Sequence, residues 1–401
     1  MIDLKAARAD PDGFRAAVAR KGAGEAFDKL LAADARWREL IPQVDELRSR
    51  QKTQGKPTPE QVEELKQVKQ ELRRLEDELA AAEAERDELL AQVPNPPHES
   101  VPDGATEEES EEVRRVGKPP DLAEPKEHLE LGRFEMERAA RLSGSRFGYI
   151  AGDTALLSLA LYRWALDRAV AEGLTPIIPP VLVREEAMYG TGFFPAERNE
   201  YYEISEDGLY LTGTSEVALA GLHMGEILET EALPLRYTAY STNFRREAGA
   251  AGRDTRGMFR VHQFNKVEMF SYVLPEDSWN EFERILDIEE RRVQELGLPY
   301  RVLNIAVGDL SSAAAKRYDI EAWFPSQERY REITSASNTT DFQARRLGIR
   351  FRRDGSIEHV HTLNGTAVTD RWALAILENF QGEVPDVLRE FGAPERIRPD
   401  A

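Results

Sequence analysis

The stretch FRREAGAAGRDTRGMFRVHQFNKVEMF, from Phe244 to Phe270, consists of two extended runs around the glycine-containing loop AGAAGRDTRG. Apolar and polar residues alternate along its second run, which is typical of a strand with one buried face. One face would carry Arg260, His262, Phe264, Lys266 and Glu268. The opposite face would belong to the core and carry Phe259, Val261, Val267 and Met269. The stretch therefore predicts an antiparallel hairpin with chemically active side chains on one side.

Cations are concentrated in this hairpin. Within sixteen residues there are five arginines, namely Arg245, Arg246, Arg253, Arg256 and Arg260, although the net charge of the chain is −20. One interpretation is a solvated hairpin with scattered charge. The other is a polyphosphate site, in which arginines bind phosphate oxygens through paired hydrogen bonds and Phe264 offers a stacking surface for a base. The residue types alone leave both interpretations open.

Short β-rich runs, separated by glycine and proline, continue on both sides of the hairpin. They include LYLTGTSE (209–216), LRYTAYSTNFRRE (235–247), YRVLNIAV (300–307) and YREITSAS (330–337). Helical patterns occur at Ser158–Glu172 and Ser278–Leu296. Consecutive strands joined by short loops predict an α+β fold with an antiparallel sheet. The chain has neither GxGxxG after a strand nor GxxxxGK[ST], which disfavours the common parallel nucleotide-binding folds.

The amino-terminal part has a different pattern, with apolar residues at heptad spacing in two runs. The runs are Leu30, Ala33, Trp37, Leu40, Val44 and Leu47, then Leu65, Val68, Leu72, Leu75, Leu79, Ala82 and Leu89. Between them, Thr58 can cap a helix, Pro59 fits its first position and Gln61 completes a capping box. These features predict an antiparallel coiled-coil hairpin whose second helix, of about 34 residues, is roughly 50 Å long. Pro42 should kink the first helix, because proline removes a backbone donor.

Domain boundaries follow from changes in composition. The proline-rich VPNPPHESVP (93–102) ends the hairpin, and the acidic run EEESEEV follows it. We predict an amino-terminal helical domain at 1–100, a linker at 101–125 and a second domain at 126–401.

Composition excludes several classes of chemistry. The chain has no cysteine, so disulfides, thiolate nucleophiles and Cys-ligated metal sites are removed, and its six histidines show no paired metal spacing. We read no signal peptide at the start and no stretch of ~20 apolar residues that a membrane span needs. These patterns predict a cytoplasmic protein without a membrane partner.

The acidic net charge disfavours non-specific nucleic-acid binding, but a local basic strip can coexist with a strongly acidic remainder of the chain.

Five ordered segments carry a resemblance to a known family. The run FRREAG, followed by GRDTRG and HQFNKVE, resembles motif 2 of the class II aminoacyl-tRNA synthetases in the form seen in seryl-tRNA synthetases. EGLTPIIPPVLV (172–183) resembles motif 1, with Pro180 as its proline, and HTLNGTAVTDRWALAILEN (361–379) resembles motif 3, with Arg371 as its arginine. TGTSE (212–216) resembles the serine-binding Thr-x-Glu element, and YREITSASNTTDFQARR (330–346) resembles the metal and ATP segment. With the helical arm, the resemblance covers essentially the whole chain.

The resemblance implies roles for individual residues. Arg245 would bind the α-phosphate of ATP, Arg371 the γ-phosphate, and these two would be the catalytic residues. Glu247 would lie near the adenine or its ribose edge, Phe264 would stack on adenine, and Val261 would contact it through the backbone. The full ATP set would be Arg245, Arg246, Glu247, Val261, Phe264, Glu332, Ile333, Thr334, Ser335 and Arg371, with Glu332 and Ser335 holding Mg²⁺ through the nucleotide. L-Serine would be bound by Thr214, Ser215, Glu216, Glu268, Asn364 and Thr366.

The resemblance also implies the reaction and the partners. The family activates L-serine with ATP to seryl-adenylate, releases pyrophosphate and transfers serine to the 3′ end of tRNA(Ser), with tRNA(Sec) a further acceptor. It implies a homodimer through the region around Pro180 and no tightly bound organic cofactor. The arm would contact the long variable arm of the tRNA, and candidate phosphate contacts are Arg48, Arg50, Lys52, Lys56, Lys66, Lys69, Arg73 and Arg74.

Some features depart from the family pattern. Motif 3 has one residue fewer between Thr366 and Arg371 than in many members, and Ser311 and Ser312 stand where a glycine and a larger residue are usual.

A related ligase that charges a carrier protein is one alternative function, but the basic arm argues against it. A non-catalytic RNA-binding protein is the other, and the arginines and glutamates of the motifs argue against it. An arm that mediates only protein contacts is the structural alternative for the coiled coil.

Overall fold

In the computed structural model, which describes residues 1–51, 58–248 and 257–400, the chain divides into two units, Met1–Pro96 and Pro97–Ala401. Part of the sequence-based prediction lies outside the described residues. This applies to Lys52, Lys56, Gly249, Gly252, Arg253 and Arg256.

The described part of the first unit is helical. Its helices are α1 (Leu4–Ala9), α2 (Pro11–Arg20), α3 (Gly24–Arg50) and α4 (Pro59–Gln92). The predicted capping box is confirmed, since the Thr58 backbone N–H donates to Gln61 Oε1 at 2.8 Å and the Gln61 N–H donates to Thr58 Oγ1 at 3.3 Å. Helix α3 continues through Pro42 without ending there, and the kink at this position stays a prediction.

The predicted heptad seam joins α3 to α4. Its buried residues are Leu40, Val44, Leu72, Leu75 and Ala82, with Trp37, Leu47 and Leu79 packed against them. Arg86 interrupts the apolar pattern in sequence, but its guanidinium lies 3.9 Å from the centre of the Trp37 ring. The interruption is therefore accommodated by a cation–π contact.

The second unit contains the remaining helices and the strands. The helices are α5 (His128–Leu131), α6 (Met136–Ser143), α7 (Gly152–Ala171), α8 (Glu185–Thr191), α9 (Glu216–Ala220), α10 (Ser278–Glu295), α11 (Phe342–Leu347), α12 (Asp370–Phe380) and α13 (Asp386–Arg389). The strands are β1 (Glu111–Val116), β2 (Phe134–Glu135), β3 (Tyr149–Ile150), β4 (Thr175–Ile177), β5 (Leu182–Arg184), β6 (Glu203–Ile204), β7 (Leu209–Leu211), β8 (Ile227–Glu229), β9 (Leu235–Phe244), β10 (Gln263–Val273), β11 (Tyr300–Asn304), β12 (Lys316–Phe324), β13 (Arg329–Asn338), β14 (Arg350–Arg353), β15 (Ser356–His359) and β16 (His361–Thr369).

One large sheet organises this unit. Among the described residues its eight strands run in the order β1-β11-β12-β13-β16-β10-β9-β4. Neighbouring strands are antiparallel except for β4, which is parallel to β9. The sheet confirms the predicted α+β class. Strand β1 lies within the segment predicted as a linker, and its pairing with β11 places that acidic segment at the sheet edge.

The sheet has a different hydrophobic cluster on each face. Val267 and Met269 of β10 join the larger cluster, which includes Trp164 of α7, Ile285 of α10 and Trp372 of α12. Phe270 and Tyr272 join a smaller cluster with residues of α9, α11 and β14. Because β10 pairs with β9 without a register shift, Phe264, Lys266 and Glu268 lie on the face of Phe270. The alternation predicted for this strand is confirmed from Phe264 onward, but the expectation of a single buried face is wrong, since Lys266 and Glu268 are 8% and 1% exposed.

The hairpin differs from the prediction at its start. Strand β10 begins at Gln263, so Phe259 to His262 precede it and do not follow strand parity. Phe259 and Val261 are nevertheless buried in the larger cluster, as predicted. None of the helices in the described ranges has the length and hydropathy that a bilayer crossing requires.

Candidate active site

A cavity of about 650 Å³ lies where the β9–β10 hairpin meets β13 and the start of α12. Its lining residues are Arg245, Glu247, Met258, Phe259, Arg260, Val261, Phe264, Lys266, Glu332, Ile333, Thr334, Ser335, Thr366, Thr369, Asp370 and Arg371. The lining joins cations and carboxylates to aromatic rings, which suits a ligand with both an anionic and a planar part.

Arg245 is held at the end of β9. Its backbone N–H donates to the His262 carbonyl at 2.9 Å, which extends the hairpin pairing past the strand ends. Its Nε donates to the Gly213 carbonyl at 3.2 Å. A Cβ at Gly213 would lie 3.2 Å from Arg245 Cγ and 2.8 Å from Tyr201 Cε1, so a glycine is required for this approach. The guanidinium is thereby directed across the Phe264 ring, 5.3 Å from its centre.

Arginines contact the aromatic rings of the cavity lining. Phe259 lies beside two guanidinium groups, with Arg331 at 3.6 Å and Arg371 at 4.5 Å from its ring centre. Arg260 is not a free cation, because its Nη1 donates to Glu247 Oε2 at 2.6 Å. Glu247 has a positive φ of 51°, which turns the chain as it leaves β9. Phe259 therefore has two guanidinium groups beside its ring, and Phe264 has one, that of Arg245.

A bulge in β13 brings Glu332 and Ser335 to one face. Two residues three apart in a regular strand point to opposite faces. Here Thr334 pairs with Ile320 and Glu332 pairs with Glu321, so Ile333 is an extra residue in the ladder. Glu332 and Ser335 consequently both line the cavity.

Arg371 reaches the cavity despite the shorter motif. Its Nη1 donates to Glu332 Oε2 at 2.9 Å and to the Glu332 carbonyl at 3.0 Å. Its Nε donates to the Phe259 carbonyl at 3.3 Å. Burial acts to raise the pKa of Glu332, but the charges of Arg371 and Arg317 outweigh it and lower that pKa to about 2. Glu332 is therefore a carboxylate at neutral pH.

A polar cluster lies beside the cavity on β10 and β16. Thr214 Oγ1 donates to Glu268 Oε2 at 3.4 Å, and Lys266 forms an ion pair with the same oxygen. Burial raises the pKa of Glu268, and Lys266 opposes that shift. Thr366 of β16 pairs with Glu268, but the next pair along the ladder joins Val368 to Val267. One residue of β16 is therefore extra, and this bulge places both Thr366 and Thr369 in the cavity lining.

Glu216 and Asn364 line a second, smaller cavity of about 310 Å³. Its other lining residues are Thr191, Gly192, Phe193, Glu197, Ser311, Ala313, Ser337 and Thr339. Gln343 Nε2 donates to Glu216 Oε1 at 2.7 Å. Burial, with a contribution from the charge of Glu268, raises the pKa of Glu216 to about 7. This chamber therefore adds uncharged or weakly charged polar groups next to the cluster around Glu268.

The structure brings most of the predicted residues together and separates a few. Those that line the main cavity are Arg245, Glu247, Val261, Phe264, Glu332, Ile333, Thr334, Ser335, Thr366 and Arg371. Arg246 does not line it, and its guanidinium lies 5.5 Å from the centre of the Tyr202 ring. Ser215 is buried at the start of α9, and Thr214 and Glu268 form the adjoining cluster.

Sequence reasoning missed several lining residues. They are Met258, Thr369 and Asp370, together with Arg260 and Lys266, which the alternation places on the active face without a role, and Phe259, which it places in the core. Asp370 follows β16 directly, and burial raises its pKa to about 7, with a hydrogen bond from the Asn265 backbone opposing the shift. Position next to a strand end was the available signal for Thr369 and Asp370.

Two family models match the chain. The seryl-tRNA synthetase N-terminal domain matches residues 1–97. The tRNA synthetase class II core domain (G, H, P, S and T) matches residues 201–380.

Curated relatives and solved structures match from end to end. A serine–tRNA ligase of Thermobifida fusca is 47% identical over 421 residues, covering 100% of both chains. One of Streptomyces coelicolor is also 47% identical, over 425 residues with the same coverage. The crystal structure of seryl-tRNA synthetase from Pyrococcus horikoshii complexed with ATP superposes with a TM-score of 0.93 at 38% identity and 100% coverage of both chains. The cytoplasmic serine–tRNA ligase of Naegleria fowleri in complex with AMP gives 0.88 at 33% identity, covering 97% of this chain and 96% of the other.

Proposed function

The chain belongs to the seryl-tRNA synthetase family, and from that premise we propose how its residues perform the reaction of a serine–tRNA ligase. The reaction has two steps. The carboxylate of serine attacks the α-phosphorus of ATP to form seryl-adenylate and pyrophosphate. A terminal ribose hydroxyl of tRNA then attacks the seryl carbonyl and releases AMP.

ATP is assigned to the 650 Å³ cavity. Adenine stacks on Phe264, the α-phosphate lies against Arg245, and the γ-phosphate lies against Arg371. The attack brings a carboxylate to a phosphate, so fixed cations stabilise the charge that accumulates at the transferring group. No covalent nucleophile is needed, since holding the two reactants in line supplies much of the rate enhancement.

Mg²⁺ is assigned to Glu332 and Ser335, acting with the phosphates. Magnesium prefers oxygen ligands and is commonly held by one or two carboxylates together with substrate phosphates. Both residues line the cavity, and Glu332 is ionised at neutral pH. Within the described ranges no group of three or more acidic or histidine side chains is arranged to hold a metal ion. The donor set therefore fits an ion that arrives with ATP, and this ion would neutralise phosphate charge.

L-Serine is assigned to the polar cluster around Glu268, with Thr214, Thr366, Glu216 and Asn364. A site that hydrogen-bonds the substrate hydroxyl excludes alanine, because the buried polar groups would then lack a partner. Thr214 and Glu268 are 2% and 1% exposed, which makes such an unpaired group costly.

The arm is assigned to tRNA binding. Its candidate contacts within the described residues are Arg48, Arg50, Lys66, Lys69, Arg73 and Arg74, all exposed. Several are paired with carboxylates on the arm, including Arg48 with Glu76 at 2.9 Å and Lys66 with Glu63 at 3.0 Å. Exposed pairs of this kind are weak, so phosphates can replace the carboxylates.

A homodimer through the region around Pro180 is part of the proposal, as is action in the cytoplasm. Ile178 is 92% exposed beside Pro180, and Leu159 on α7 is 60% exposed. Such apolar side chains are suited to a protein interface.

One observation carries the proposal: Arg245, Phe264, Glu332 and Arg371, from three separate sequence motifs, converge on one cavity. The test is charging of tRNA(Ser) with labelled serine by the full chain. Serine attached to the tRNA 3′ end is the expected result, and no attachment in the presence of ATP and Mg²⁺ would refute the proposal. A carrier-protein ligase is not favoured, because the curated relatives match this chain over its whole length, arm included.

A further inference from the structure

His128 and Glu378 form a buried pair outside the cavity lining. They are 4% and 0% exposed, and His128 Nδ1 lies 2.8 Å from Glu378 Oε1. The same oxygen accepts the His128 backbone N–H at 3.3 Å. A carboxylate without solvent contact is stable only when donors surround it.

Donors also satisfy the other oxygen of Glu378. Glu378 Oε2 accepts the Ser326 backbone N–H at 3.2 Å and the Ser326 hydroxyl at 2.6 Å. Because a carboxylate oxygen can only accept, Nδ1 of His128 must donate to Glu378 Oε1 at 2.8 Å. The ring is therefore held as the Nδ1–H tautomer, and its Nε2 is an acceptor.

The Nε2 atom of His128 faces the backbone at Gly257 and Met258. The Met258 backbone N–H donates to His128 Nε2 at 3.5 Å. A Cβ at Gly257, whose φ is +77°, would lie only 2.7 Å from the same nitrogen, so the ring edge contacts this backbone directly. Met258, Phe259 and Val261 then enter the cavity lining.

We propose that His128 is a positioning residue for nucleotide binding: Glu378 fixes its tautomer, and its Nε2 fixes the backbone at Met258. Phe259 and Val261 are thereby held in the wall that receives the base. The inference rests on the proposed function, since it takes the cavity to be the ATP site. The polar cluster assigned to serine has no part in this chain of contacts, so the effect is specific to the nucleotide.

The test compares the two substrate constants in serine-dependent ATP–pyrophosphate exchange. His128→Ala should raise the KM for ATP roughly ten-fold and change the KM for serine less than about two-fold, because only the nucleotide wall is displaced. Glu378→Gln should act in the same direction, since an amide NH₂ then faces donors. If Glu378 acts through His128, the double variant is no worse than His128→Ala alone.

His223→Ala is the matched control. His223 lies in the same unit and also uses both ring nitrogens, Nδ1 with Glu226 at 2.7 Å and Nε2 with Tyr237 at 2.9 Å. It does not line the cavity, so both KM values should stay at the wild-type level. Thermal melts identify any variant that fails to fold, and either His128→Ala or Glu378→Gln alone then suffices for the comparison.

Equal changes in both KM values, or no change in either, would overturn the inference, as would additive effects in the double variant. Absence of exchange by the wild-type chain would instead refute the proposed function. The two failures are therefore distinguishable.

Discussion

Arg245 combines three constraints that fix its direction. Its backbone continues the β9–β10 pairing, its Nε is bound to the Gly213 carbonyl, and its guanidinium crosses the Phe264 ring. A cation fixed in this way costs little reorganisation when charge develops near it. Its role depends on position as much as on charge.

Replacing Arg245 with alanine should lower serine-dependent exchange by about 10²–10³-fold, the usual effect of losing one fixed group that stabilises a transition state. Arg245→Lys should recover little, because an ammonium cannot make the paired contacts of a guanidinium. Initial rates of exchange measure both effects.

Arg168→Ala is the control for this substitution. Arg168 is bound to Glu295 at 2.6 Å on the surface, where such pairs contribute little to stability. Its exchange rate should equal that of the wild type. A rate for Arg245→Ala within a few-fold of this control would contradict the assigned role.

Glu289 is a buried acid that the reaction does not use. It is 0% exposed, and a Cβ at Gly365 would lie 2.9 Å from its Oε1. Burial raises the pKa of Glu289 well above its ordinary value. The folded chain therefore keeps this proton to higher pH than the unfolded chain does, so the contribution of Glu289 to stability falls as pH rises above the ordinary pKa of about 4.5.

Glu289→Gln should remove that decline, because an amide does not ionise. The melting temperature of the variant, relative to wild type, should increase from pH 5 to pH 8, by roughly 2–6 °C in total. Glu283→Gln, an exposed position on the same helix, should show no such trend. Parallel melting curves for Glu289→Gln and wild type across this range would contradict the account.

At the scale of elements, the β9–β10 hairpin, the heptad helices and the capping box could be predicted, since each depends on local pattern. The bulges in β13 and β16 could not be predicted from local pattern. Alternation places Glu332 and Ser335 on opposite faces, and only the extra residue Ile333, seen in the pairing with β12, brings them together. The start of β10 was also misplaced, because Phe259 and Val261 are buried by contacts with other elements and not by strand parity.

The bulge in β13 leads to a prediction about metal dependence. Ser335→Ala removes one proposed oxygen ligand, so the Mg²⁺ concentration for half-maximal exchange should rise several-fold while saturating Mg²⁺ restores much of the rate. Ser356→Ala serves as control, since that hydroxyl donates to the Arg353 carbonyl at 2.7 Å in β15. An unchanged Mg²⁺ titration for Ser335→Ala would remove this residue from the site.

The whole molecule has two units with separate cores, and the sequence indicated this division through its change from heptad to strand patterns. The site itself lies entirely within Pro97–Ala401. The positions of Lys266 and Asp370 in it depend on pairing between distant segments, which local pattern does not reveal.

Deleting residues 35–85 should therefore spare serine-dependent exchange and abolish charging of tRNA(Ser). Arg36 and Glu85, the outermost ion pair within the deleted range, join α3 to α4 with Nη1 and Oε2 3.7 Å apart, so the helix ends that remain are neighbours and a short linker can connect them. The measurement compares the exchange rate and the charging rate of the deletion variant with those of the full chain, each pair of rates taken from one preparation. Normal charging by the deletion variant would show that the arm does not bind tRNA.

The proposed function requires that ATP in the main cavity and serine at the adjoining polar cluster around Glu268 are bound side by side. The measurement that tests it is ATP–pyrophosphate exchange by the full chain without tRNA, run with serine, threonine, alanine and glycine in turn. We predict strong exchange with serine and exchange with alanine lower by roughly 10³-fold or more, because the buried partners of the serine hydroxyl are then unpaired. No exchange with serine, or equal exchange with alanine, would contradict it.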